Sequence, residues 1–298
     1  MSPRRFRMWP AAVLLLAAAS GVEAQSFSYT GAASYSAGNY VFDARSDSWV
    51  LTNALRMRTG PVDVSASFPF VVWNGGLVTT VAGGVTLPTG GTESGAVARR
   101  GSGETIGTRG SGRRGGGSTV PVDTVTFASA HSAPFADPYR SIDGELSSGF
   151  GTVRSVRVNV AAKAPMADVD SGLSSGEWDL GIGGSLVVGS GRVLFLADAS
   201  YWWMGDMPDL ELGDALSYAV GVSTAAFSGR GSVMATVSGM TRTIETMDAP
   251  VLLSASVGHG AGARSLLSAT AGFGLTESAP DLYLALGWSV RLGSTAAF

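Results

Sequence analysis

The chain has 298 residues, no cysteine, 42 glycines and a formal net charge of −3. Without cysteine it has neither a disulfide framework nor a lipid-modified N-terminal thiol, and its slightly acidic balance argues against nucleic acid as a partner. Its stability must come from packing and backbone pairing.

Residues 1–24 read as a signal peptide, with Arg4, Arg5 and Arg7, an apolar run from Ala11 to Ala19, and small residues at Val22 and Ala24. That run is about half of the roughly 20 residues a spanning helix needs. Export with cleavage near Ala24 is expected, leaving 17 basic against 22 acidic residues from Gln25 onward.

From Gln25 on, period-two alternation recurs and helical periodicity never persists. Three strands carry Phe27, Tyr29, Ala33 and Tyr35; Trp49, Leu51, Leu55 and Met57; and Val62, Val64, Phe68 and Phe70. Residues 74–137 read as one long insertion, although LVTTVAGGVTL at 77–87 alternates like a hairpin arm. A strand at about 138–148 follows, then Val156, Val158, Val160 and Ala162 on the next. The series continues through faces carrying Trp178, Leu180 and Ile182; Val193, Phe195 and Tyr201; Leu216, Tyr218 and Val220; Val233 and Val237; Leu253 and Val257; and Leu267 and Phe273. Leu284, Leu286, Trp288 and Leu292 mark the last strand. The count is twelve.

A secreted β-sandwich would also alternate. Three features favour a transmembrane antiparallel barrel instead: strands of about ten residues, aromatics near strand ends, and connections that alternate between short and long. Tight links fall at 59–61, 147–151, 189–191, 228–231 and 258–263, with longer ones between. Short turns are periplasmic and long loops extracellular in bacterial outer-membrane barrels. Lipid offers no partner to an open strand edge, so the last strand must pair with the first. A terminal Phe298 resembles the signal read by the outer-membrane assembly machinery, a partner expected together with outer-membrane lipid and lipopolysaccharide.

Residues 161–183 resemble the outer-membrane barrels named for the MetA pathway of phenol degradation: a strand ends in Lys-x-Pro, a glycine-rich loop follows, and the next strand opens with Gly-x-x-Asp. Lys163, Pro165, Gly176 and Asp179 match, and FADPYR at 135–140 looks like the entry to the preceding strand, with Ala136 in place of glycine. The resemblance covers roughly residues 135–292. It implies kinship to channels for hydrophobic compounds such as fatty acids and aromatics.

Catalysis is not expected. His131 and His259 are the only histidines, and no serine sits in a G-x-S-x-G elbow. GSGRRG at 110–115 fits a dinucleotide fingerprint but lacks its strand and helix, so it reads as low-complexity loop. Asp206, Asp209, Glu211 and Asp214 read as a solvated acidic loop rather than a calcium site. No cofactor or metal is expected.

If the large residues face lipid, the lumen receives Arg56, Asp143, Glu145, Arg157, Asn159, Lys163, Glu177, Asp179, Arg192 and Asp198, with Leu194, Leu196, Trp202, Phe227, Met234, Met240 and Tyr283. Mixed charge gives little ion selectivity. Two readings follow: a passive outer-membrane channel for small, hydrophobic or aromatic molecules, or a structural or surface-binding barrel with a closed lumen. Lys163 and Asp179 are expected to pair as a partly exposed ion pair contributing about 0–1 kcal/mol. In the insertion, Arg99, Arg100, Arg109, Arg113 and Arg114 face acidic neighbouring loops and form either a loose lid or a free solvated loop.

Overall fold

The computed structural model describes residues 25–40, 45–74, 77–80, 86–90, 135–147, 149–167, 169, 173–206, 211–245 and 247–295. The expected signal peptide, the arginines of the insertion, His131, Asp209 and Phe298 lie outside them. The strands are β1 (Gln25–Gly38), β2 (Ser46–Thr59), β3 (Val62–Asn74), β4 (Leu77–Thr80), β5 (Thr86–Gly90), β6 (Tyr139–Ser147), β7 (Val153–Lys163), β8 (Asp179–Ser190), β9 (Val193–Trp203), β10 (Ala215–Ala226), β11 (Gly231–Met240), β12 (Val251–Gly260), β13 (Ser265–Gly274) and β14 (Leu282–Thr295). Twelve of them close a barrel in the order β1, β14 down to β6, then β3 and β2. β4 and β5 pair with each other instead, on the segment that alternates at 77–87.

Closure is made by β14 against β1, from Gln25 opposite Thr295 to Ala37 opposite Leu282, with one bulge after Phe27. This pairing answers the alternation at the end of the chain: the last strand completes the wall, so no ladder is left open to lipid.

Registered pairing keeps each row of side chains on one face. One row runs Phe195, Val222, Ala235, Ala255, Ala271, Leu284, Tyr35 and Trp49 across β9 to β14, β1 and β2. Phe195, Val222, Leu284 and Trp49 in it are exposed in the isolated chain, as lipid-facing residues must be, and Tyr35 is half-buried. The alanines make the wall thin here. Between this row and its neighbour lies an apolar hollow of about 1060 Å³, bordered by Val222, Val233, Ala255, Ala269, Leu286 and Trp49, which faces the bilayer. The opposite face carries a polar row: Asp63, Asp143, Asn159, Gly183, Ser200, Ser217 and Met240, across β3 and β6 to β11.

The short links all fall at one end. Gly60 and Gly191 turn β2 into β3 and β8 into β9 with φ of +54° and +60°, a region that residues with a Cβ rarely occupy. β12 runs further than alternation suggests, so His259 lies on the strand and not in a glycine turn; its ring meets Phe227 edge-on at 5.5 Å. At the other end, β6 pairs with β3 only from Val62 to Ser67. Beyond it, Ala136 N–H donates to the Pro69 carbonyl at 3.0 Å and Phe135 bridges to Phe70, continuing the wall with irregular chain.

Candidate functional site in the barrel lumen

Charge gathers on the wall formed by β2, β3, β6 and β7. Asp63, 1% exposed, accepts from Arg56 at 3.0 Å and from Arg157. Arg56 also places Nη2 2.8 Å from Asp63 Oδ2. Glu145 pairs with Arg58 at 3.2 Å nearer the short turns, and Ser141 donates to Asp143 at 3.1 Å. The two guanidiniums hold Asp63 from two strands, so this part of the lumen is cross-braced.

Towards the long loops the lumen holds a buried ionic knot. Lys163 Nζ lies 2.9 Å from Asp179 Oδ2 and 3.6 Å from Asp137 Oδ2, and donates to Ser175 Oγ at 3.1 Å. Asp137 in turn accepts from Met166 N–H, Ala167 N–H and Ser174 Oγ at 2.7–2.9 Å. Asp179 accepts from Gly205 N–H at 2.8 Å. The motif residues therefore tie three connections together: the end of the insertion, the β7–β8 loop and the β9–β10 loop. Gly176, at φ +77°, allows that loop its turn. Lys163 and Asp179 pair as expected, but they are buried rather than partly exposed, because the β7–β8 loop folds down over them.

Beside the knot stands Trp202, 4% exposed, with Tyr139 edge-on at 6.5 Å. Its Nε1–H donates to Ser217 Oγ at 3.2 Å, and Ser217 donates to the Ser200 carbonyl. The indole fits because Gly181 opposite it has no side chain: a Cβ there would sit 2.7 Å from the ring. Gly181→Ala is expected to cost about 1–3 kcal/mol through overpacking, read as a lower urea midpoint. An unchanged midpoint would show that the ring is loosely held.

Next to Trp202, a lumenal cavity of about 320 Å³ is lined by residues including Asn159, Asp198, Leu252, Ser254 and Tyr283 from β7, β9, β12 and β14. This hollow lies on the inner face, with apolar and polar groups converging.

Glu177, Arg192 and Phe227 do not occupy lumen-facing strand positions. Glu177 is exposed in the β7–β8 loop, Arg192 sits in the β8–β9 turn, and Phe227 opens a single 3-10 turn after β10. Leu194, Ser223 and Met234 share one registered row on the face opposite the lipid-facing alanines, and Leu196 and Met240 lie in parallel rows on that same face. Sequence reasoning missed Asp63, the centre of the arginine brace; its place next to Val62 and Val64 on an alternating strand was the available signal. Among the described residues, no group of three or more His, Asp or Glu is placed to hold a metal.

Together, the closed wall, its apolar outer rows and its polar inner rows define a transmembrane β-barrel. No protein-family model matches the chain, and no curated protein matches it. Among solved structures the chain is similar to an outer-membrane channel from Pseudomonas putida F1, with 12% identity and a TM-score of 0.56, covering 98% of this chain and 100% of that one. Fainter similarities are to the KdgM porin, with 5% identity, a TM-score of 0.45 and coverage of 90% and 99%, and to the CymD monoaromatic hydrocarbon channel, with 9% identity, 0.43, and 91% and 89%. The fold is thus that of outer-membrane barrels.

Proposed function

We propose that the protein is a passive outer-membrane channel for small molecules with an apolar or aromatic body. The observation that supports this reading most is the lumenal cavity, where Trp202, Tyr283 and Leu252 stand among serines instead of a ring of one charge. Such a lining offers apolar contact and hydrogen bonds to a solute crossing an envelope whose lipopolysaccharide leaflet retards it. The resemblance carried by Lys163, Pro165, Gly176 and Asp179 points the same way.

The buried knot at Lys163 and the packed Trp202 favour a second reading, a barrel whose lumen is closed. Purified protein in planar bilayers separates the two: the channel gives conductance steps and liposome flux of small aromatics, whereas a sealed barrel gives neither. In a conducting barrel, Asp63→Asn is expected to shift ion selectivity towards anions by about twofold or more, since it leaves Arg56 and Arg157 without their carboxylate. An unchanged reversal potential would place the ion path away from the brace.

A further inference from the structure

The lumenal cavity carries a chemical bias beyond its shape. Asp198 is its charged lining residue, and among the described residues it forms no ion pair. Asn159 Oδ1 is buried with no hydrogen-bond partner. On the strand between them, β8, Gly183 stands opposite Asn159 and Ser200, with the Ser200 side chain over it, and Ser185 stands opposite Asp198, so only small serine side chains separate the two oxygen-bearing groups along this wall. Neighbouring cations are already committed: Arg157 to Asp63, and Lys163 to Asp179 and Asp137. The indole N–H of Trp202 is spent on Ser217. What remains is one unpaired negative charge and one unpartnered amide oxygen, among neutral hydroxyls and beside two aromatic rings.

We propose that this cavity binds small organic cations, an ammonium group on an aromatic body, with Asp198 and Asn159 Oδ1 taking the ammonium hydrogens and Trp202 and Tyr283 walling the ring. A protonated amine brings the positive charge that the lining lacks and neutralises Asp198, and aromatic faces attract such a cation further. An aromatic carboxylate brings only more acceptors and a like charge. The inference rests on the channel reading for passage, though not for binding.

The test uses the full barrel purified in detergent and three probes that share one ring: benzylammonium, benzyl alcohol and benzoate. Calorimetry is expected to show benzylammonium binding about tenfold more tightly than benzyl alcohol, the scale of one charge-assisted contact, and benzoate more weakly than either. Asp198→Asn is expected to abolish that preference, with Asp198→Ser as the alternative where asparagine impairs assembly. Glu145→Gln, at the ion pair with Arg58, keeps it. Benzoate binding as well as benzylammonium, no measurable benzylammonium binding, or a preference that survives loss of Asp198 overturns the site. Liposome flux of the same probes separates the two readings: binding preference without flux of any probe removes the channel and leaves the cation site, whereas equal flux and equal binding of all three removes the site and leaves the channel.

Discussion

Lys163→Ala is expected to lower the unfolding free energy by about 3–5 kcal/mol, the cost of breaking a buried ion pair from one side. Lys163 is 8% exposed, while Asp137 and Asp179 are at 2% and 0%, so removing the ammonium strands two carboxylates that water cannot reach. Asp137 keeps its bonds from Met166, Ala167 and Ser174, and Asp179 keeps the one from Gly205, but those satisfy geometry without cancelling charge. Combining Lys163→Met with Asp179→Asn is expected to recover a substantial part of the loss, because it removes one of the stranded charges. Urea unfolding followed by tryptophan emission reads both variants. A loss under about 1 kcal/mol for Lys163→Ala would return the pair to the class of exposed ion pairs, and would mean that the β7–β8 loop opens in solution.

Why the burial of Lys163 escaped the sequence is instructive. The pairing with Asp179 was legible, since the two residues end and begin consecutive strands and the register sets them opposite each other. Its solvation was not, because that depends on where Leu173, Ser174 and Ser175 settle, and no periodicity governs a loop. The same limit explains Glu177, Arg192 and Phe227: alternation was carried past the strand ends into turns, where successive side chains no longer take opposite faces. Within the strands the rule held well. Lipid on one side and a polar lumen on the other force a strict period of two, and the alternation of short and long links fixes strand number and direction. Twelve strands followed, as did the closing pair of β1 and β14. Asp63 was missed for a different reason. The face of β3 was assigned from its large residues, and a lone carboxylate next to a turn resembles an ordinary surface residue until Arg56 and Arg157 are seen to converge on it. Trp202 was read on the correct face, yet its close packing depends on a glycine, Gly181, from another strand.

Leu253→Arg is expected to impair assembly, whereas Ser254→Arg is not. Leu253 is the third residue of β12, in the outer row with Val237 and Phe273, so an arginine there must put its charge against lipid, at a cost that grows with depth to about 2–4 kcal/mol at the midplane. Ser254, one residue on, points the other way. It lines the lumenal cavity opposite Thr236 and Gly272, and an arginine can extend into that space, where water and Asp198 are available to it. The measurement is the fraction of folded, heat-modifiable barrel recovered after refolding into phospholipid vesicles. Recovery is expected to fall for Leu253→Arg and to match the parent for Ser254→Arg, while the second variant narrows the cavity and reduces any flux through it. Equal recovery of the two variants would reverse the assignment of inner and outer faces. The cavity would then face lipid, and the alanine-lined hollow between Val222 and Trp49 would become the candidate path.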